Sequence, residues 1–379
     1  MNWTYKALTF APVGGDELAS GTTRASLRQL TATGANAVAF VPTWYQTNVN
    51  SPTIYRTENT SSDASLITAI GEARVLGLKV MLKPHLASLD GQWRAHINPC
   101  SINQEPCPAS NSLASQWFSR YDAMMDHYAT LGKQQKVNQL DIGSELIDMS
   151  TNSAYARYWF SLIRDLRFRF QGSLTYSANW GAGSYATEYT RIKFWNALDY
   201  IGISAYFPLS NSNSPSVSDM IATWQNTWLP QIRSFHQQYN KPVLFSEIGY
   251  RSASIAALAP FDYSLGSADL QQQANCYEAT LNAWANISWF AGVAFWDWSA
   301  NPHISGGNTD YTVQNKPAYN ILALGFGSRS ALESTPTPTT STPPASATLS
   351  ASMSATSVPT TATIPGATAT LPPGSITIP

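Results

Sequence analysis

The chain reads Ala35-Asn36-Ala37-Val38-Ala39-Phe40-Val41-Pro42-Thr43-Trp44 and, further on, Leu78-Lys79-Val80-Met81-Leu82-Lys83-Pro84-His85-Leu86. Both runs are short and apolar, with the composition of buried strands. Between them, residues 63–76 space their apolar side chains as a helix does. Gly77 follows, where a helix C-terminus favours a residue that tolerates positive φ. Strand, helix and strand in that order form one βαβ unit. The unit repeats in both directions. Strand-like runs stand at residues 5–12, 35–44, 78–86, 137–146, 173–180, 200–208, 242–249 and 290–299. Helical patterns lie at 22–33, 63–76, 112–131, 151–170, 191–197, 218–239 and 270–286, with a closing helix at 316–324. Gly34 and Gly132 follow two more of these helices. Strands that are continuously apolar are buried on both faces, as in parallel sheets. Eight of them alternating with helices predict an α/β fold of the (β/α)8 TIM barrel type. A doubly wound sheet is the rival, but no Gly-rich phosphate loop follows the first strand.

Composition narrows what such a barrel could bind. Only 12% of the 379 residues are charged, and 12% are aromatic, including 13 Trp. The net charge is -1. That balance argues against nucleic acid and against a polybasic membrane surface. A Trp-rich, charge-poor chain suits a neutral, hydroxyl-covered ligand. No apolar run reaches the roughly 18–20 residues of a membrane span.

The composition changes after Glu333. Residues 334–379 hold nine of the 23 prolines and no charged, aromatic or Cys residue. Such a segment cannot bury a core, so a disordered Ser/Thr/Pro-rich linker or stalk is expected there, after a catalytic domain at 1–333. Tracts of this kind are typical of secreted proteins, and an extracellular location is expected. The N-terminus, Met1-Asn2-Trp3-Thr4-Tyr5-Lys6, has no signal-peptide pattern. Cys100 and Cys107 could close a local disulfide, with Cys276 left as a buried thiol.

In a barrel of this type the chemistry sits at the C-terminal ends of the strands. Strand two ends on Trp44, strand three on Lys83-Pro84-His85, and strand four on Gly143-Ser144-Glu145. Strand five ends on Asn179-Trp180, strand six on Tyr206, strand seven on Glu247, and strand eight on Trp296-Asp297-Trp298. Glu145 and Glu247 each close an otherwise apolar strand, where a charge is costly unless paired or used. Strands four and seven lie on opposite sides of the barrel mouth. Two carboxylates about 5–5.5 Å apart are the equipment of a retaining glycosidase.

The segments Met81-Leu82-Lys83-Pro84-His85, Gly91-Gln92-Trp93-Arg94-Ala95-His96-Ile97, Ile142-Gly143-Ser144-Glu145-Leu146, Phe245-Ser246-Glu247-Ile248-Gly249-Tyr250-Arg251-Ser252 and Ala294-Phe295-Trp296-Asp297-Trp298 resemble clan A glycoside hydrolases, and most specifically family 113. The resemblance covers most of residues 5–324. It implies a β-mannanase, with Glu145 as acid/base and Glu247 as nucleophile. It implies that Tyr206 hydrogen-bonds the nucleophile and that Trp296 floors the −1 subsite. Ser144 departs from the Asn that much of the clan carries before the acid/base, which bears on the sugar 2-hydroxyl. Arg251 or Lys83 could keep Glu247 ionised, and the apolar Ile142 and Leu146 could keep Glu145 protonated.

Trp44, Trp93, Trp180 and Trp298 are further stacking candidates, because aromatic faces pack on sugar C–H surfaces. His85, His96 and Asn179 could bind hydroxyls. No ligand spacing suggests a metal, and no cofactor is expected. The expected partner is a polysaccharide or oligosaccharide, with no nucleic acid and no membrane span, bound by a monomer. Rival readings are a xylan- or β-glucan-cleaving enzyme, a transglycosidase, and a non-catalytic carbohydrate-binding protein.

Overall fold

A computed structural model of the protein describes residues 1–100, 112–181, 187–264 and 266–328. Its centre is a closed, all-parallel barrel of eight strands. They are β1 (Tyr5–Phe10), β2 (Ala37–Phe40), β3 (Lys79–Leu82), β4 (Gln139–Ser144), β5 (Ser173–Asn179), β6 (Ile201–Ser204), β7 (Val243–Ile248) and β8 (Phe290–Phe295). Each strand pairs with its neighbours in sequence, and β8 closes onto β1. This is the TIM barrel expected from the strand pattern.

The two faces of each strand explain why the runs are continuously apolar. One face is mostly small: five of the eight residues that cluster there are Ala (Ala7, Ala37, Ala39, Ala291 and Ala294), joined by Tyr5, Met81 and Leu244. The other face carries Leu8, Phe10, Val38, Phe40, Val80, Leu82, Ile142, Tyr176, Phe245 and Phe295, which belong to a larger core. Alternating side chains point to opposite faces of a strand. The small set fills the barrel interior, and the large set packs on the surrounding helices. Polar groups share the interior on one side. Ser177 Oγ lies between a carboxylate oxygen of Asp141 and Ser246 Oγ.

Helix starts follow ordinary capping chemistry. Ser20 caps Gly21–Ala32, Ser62 caps Asp63–Val75 and Asp269 caps Leu270–Trp284, each accepting from a backbone N–H of the first turn. Gly34 and Gly77 take positive φ after the first two helices, as expected. Gly132 does not. The helix Ser112–Gln134 runs past it, and Lys136 takes the left-handed conformation instead. A glycine suits position 132 because a Cβ there would lie 3.0 Å from the Phe170 ring.

The helix expected at 191–197 is also absent. That stretch holds the end of a single turn, Glu188–Arg191, and a 3-10 turn, Trp195–Ala197. Ile192, Phe194, Trp195 and Leu198 are all buried, so the segment is apolar without an exposed helical face. Pro42 and Pro84 end β2 and β3 early, and the chain then pairs again as Thr43–Gln46 with His85–Ser88. Cys276 is a buried free thiol. Cys107, which could bridge to Cys100, lies outside the described residues, and so does the segment 334–379. No helix among the described residues is long and apolar enough to cross a membrane.

Candidate active site

Glu145 and Glu247 sit where the ladder is irregular. The β4–β5 register shifts between Asp141 and Ser144, and the β6–β7 register shifts where Ser204 meets Glu247. Such bulges re-aim side chains and recur beside active sites. Glu145 itself has φ 54, an unfavourable region for a residue with a Cβ. Its amide donates to Ser177 O at 2.8 Å, which holds it there. Gly249 is required just beyond Glu247, because a Cβ would stand 2.2 Å from Trp296 O.

Glu247 is 8% exposed and is clamped from two sides. Lys83 Nζ donates to its Oε2 at 2.5 Å and to the Ser246 carbonyl at 3.2 Å. Tyr206 OH donates to its Oε1 at 2.8 Å. Burial pushes the Glu247 carboxyl up, but the Lys83 charge and hydrogen bond, with Tyr206 and Arg94, more than reverse that, and the net shift is downward. Glu247 is therefore held ionised.

Glu145 has the opposite environment. Asn179 Nδ2 donates to its Oε1 at 2.9 Å, and Trp93 Nε1 makes a longer contact to Oε2 at 3.4 Å. Burial first, then the negative charge of Glu247, raise its affinity for a proton against Arg94, Asn179 and Lys83. Two carboxylates pushed apart in this way can act as one base and one acid.

Two rings lie beside Glu247. His85 and Trp296 stack with centroids 6.1 Å apart. Burial, then Arg94 and Lys83, lower the His85 pKa strongly, so the imidazole is neutral. Its Nε2, 3.9 Å from Glu247 Oε2, does not form a charged pair.

Residues 8–316 match the sequence profile of Glycoside Hydrolase Family 113. The chain belongs to family 113. This family 113 glycoside hydrolase is similar to a solved β-1,4-mannanase of the family at 28% identity, covering 87% of this chain and 100% of that one with TM-score 0.73. It is also similar to the family 113 β-mannanase AaManA from Alicyclobacillus acidocaldarius, at 27% identity, 86% and 97% coverage and TM-score 0.73. A β-D-glucuronidase for Dictyoglomus thermophilum, at 13% identity, covering 86% of this chain and 50% of that one with TM-score 0.56, shares the fold alone. No curated protein sequence matches the chain.

In this family 113 hydrolase the mouth of the barrel gathers Glu145, Glu247, His85, Trp93, Asn179, Tyr206 and Trp296. Most of the other expected residues have partners within the protein. Trp298 is 1% exposed, and its indole N–H donates to Ser26 Oγ at 2.8 Å, so it packs rather than offering a face to a sugar. Trp44 donates to Tyr128 OH at 2.8 Å, with Arg56 over its ring. Trp180 is buried among Phe207, Trp228 and Phe261. Arg251 donates to the carbonyls of Thr309 and Asp262, so Lys83 is the cation on Glu247. Ser144, expected to face the sugar 2-hydroxyl, is buried beside Glu145, and its Oγ has no partner among the described residues.

Arg94 and Tyr263 also bear on the site, though neither closes a strand in the sequence. Arg94 acts electrostatically on both glutamates and on His85. Tyr263, 67% exposed, packs edge-on against Tyr311 at 5.2 Å, and Tyr311 packs on Tyr206 at 6.0 Å. That aromatic ladder runs from Tyr206, the hydrogen-bond partner of Glu247, out to solvent. Among the described residues no group of three or more His, Cys, Asp or Glu could hold a metal ion.

Proposed function

We propose that this glycoside hydrolase is a retaining endo-β-1,4-mannanase. The observation that carries the mechanism is the opposed treatment of the two glutamates: Glu247 is clamped as an anion by Lys83 and Tyr206, while burial and the charge of Glu247 raise the proton affinity of Glu145. Glu247 attacks the anomeric carbon as the glycosidic C–O bond breaks, and Glu145 gives its proton to the departing oxygen. Glu145, now a carboxylate, takes a proton from water as that water attacks the same carbon. The ester to Glu247 breaks, and Glu247 leaves as a carboxylate. Two displacements at one carbon retain its configuration. Mannan is favoured as the substrate because the similar solved structures at 27–28% identity are β-mannanases. A polymeric substrate also suits the extracellular location expected from the Ser/Thr/Pro tract.

The pH profile of kcat/KM should be a bell. Its acidic limb reports protonation of Glu247, and its basic limb reports loss of the Glu145 proton. Lys83→Met removes the charge that offsets burial of Glu247. The acidic limb should then move to higher pH, and kcat/KM at the optimum should fall by about 10²-fold or more. An unmoved acidic limb would show that Lys83 does not set the nucleophile's ionisation.

Tyr263 is proposed as an aromatic platform for a sugar bound next to the cleavage point. Tyr263→Ala should raise KM for mannan by about three- to tenfold with kcat little changed. An unchanged KM would remove it from the binding surface. The substrate assignment is tested by the product profile on defined manno-, xylo- and gluco-oligosaccharides. Cleavage restricted to the manno series supports it, and faster cleavage of either other series overturns it.

A further inference from the structure

A third glutamate lies behind the acid/base. Glu188 is fully buried, and no cation among the described residues forms an ion pair with it. It begins the short turn Glu188–Arg191. Its Oε1 accepts from Ser150 Oγ at 2.5 Å and from Tyr176 OH at 2.6 Å, and its Oε2 accepts from the Asn179 amide at 2.6 Å.

Two of those donors lead to Glu145. Tyr176 oxygen accepts from the amide of Leu146, the residue directly after Glu145, at 2.8 Å. Asn179 is the residue whose side chain donates to Glu145 Oε1. One buried carboxylate thus anchors both the backbone next to the acid/base and the side chain that orients it. Burying a carboxyl with no countercharge is costly, and the three donors offset part of that cost while fixing where the carboxyl sits.

We propose that Glu188 is a positioning residue for Glu145, aiming the acid/base at the glycosidic oxygen through Tyr176–Leu146 on one side and Asn179 on the other. The inference rests on Glu145 being the acid/base. Charge adds to geometry. Burial, with a smaller push from Glu145, raises the Glu188 pKa to about 7 against the hydrogen bonds from Ser150, Tyr176 and Asn179. The interaction is mutual, so an ionised Glu188 also favours the proton on Glu145. The titratable and charged groups that bear on this pair are Tyr176 from β5, Glu247 from β7, Lys83 directly after β3, and Arg94 in the loop beyond it.

The test compares Glu188→Gln with the native enzyme on two substrates. Gln keeps the size, but its amide cannot accept from all three donors. On manno-oligosaccharides, whose leaving group needs a proton, kcat/KM should fall by about 10²-fold. On a 2,4-dinitrophenyl β-mannoside, whose leaving group needs none, it should stay within a few-fold of native. The basic limb of the oligosaccharide profile should move to lower pH, because a like charge beside Glu145 is gone. Equal losses on both substrates with an unmoved basic limb would make Glu188 merely structural and overturn the proposal; so would no loss on either.

Tyr176→Phe breaks the Leu146 arm while keeping the ring, and the same leaving-group dependence is expected if Glu188→Gln does not fold. Its absence there overturns the proposal equally. Glu145→Ala, run alongside, separates the two claims. If Glu145→Ala itself shows no leaving-group dependence, the acid/base assignment has failed, whatever Glu188 does.

Discussion

Glu247→Ala is expected to lower kcat on β-mannan by about 10⁵- to 10⁶-fold, the scale of losing a covalent nucleophile. The reasoning starts from position. Glu247 ends an apolar strand, is clamped by Lys83 at 2.5 Å and Tyr206 at 2.8 Å, and is held ionised. Removing it also leaves the Lys83 ammonium without its carboxylate in a buried site, which costs about 3–5 kcal/mol. The variant should therefore melt at lower temperature, and its activity must be read below that transition. Glu247→Gln keeps the shape and should be equally inactive. Azide added to Glu247→Ala should attack an activated β-mannosyl substrate from the vacated side and give the α-mannosyl azide. Activity within tenfold of native in either variant would sink the assignment.

Glu145→Ala should behave differently, and the difference is more informative than the loss. On mannan, kcat/KM should fall by about 10²–10⁴-fold, the range of a general acid/base. With a 2,4-dinitrophenyl leaving group, formation of the glycosyl-enzyme should remain fast, so the intermediate accumulates. Azide should then speed turnover and give the β-mannosyl azide, the opposite anomer from the Glu247→Ala product. The paired anomers follow from which face of the sugar each glutamate occupies. The same anomer from both variants would contradict the roles.

The barrel was legible because its interior is lined by small residues such as Ala7, Ala39 and Ala294 while Leu8, Phe40 and Phe295 face the helices. That division makes most of the strands predominantly apolar, with polar residues such as Asp141, Ser177 and Ser246 confined to one side of the interior, and eight such runs leave few alternatives. The segment after Glu188 was misread because Phe194 and Trp195 are buried in irregular chain, where apolar content carries no period.

In the site, Glu145 and Glu247 stood out as charges closing apolar strands. Trp298 stood at a similar strand end, yet its ring turns to Ser26. The direction of a side chain just past a strand depends on local register, which one sequence does not reveal. Glu188 lies on no strand and matches no spacing. Its connection to Glu145 exists only through Tyr176 and Asn179, brought together by β5. Lys83 was visible as a candidate beside Arg251, and only the packing of β3 against β7 across the barrel separates them.

The most direct test of the mechanism is to trap the covalent intermediate. A 2-deoxy-2-fluoro-β-mannosyl fluoride slows both displacements but the second more, so the glycosyl-enzyme should persist. Intact-mass measurement should show one added fluoromannosyl group, and peptide mapping should locate it on Glu247. A label on any other residue, or turnover without an adduct to a product of inverted configuration, would contradict the account.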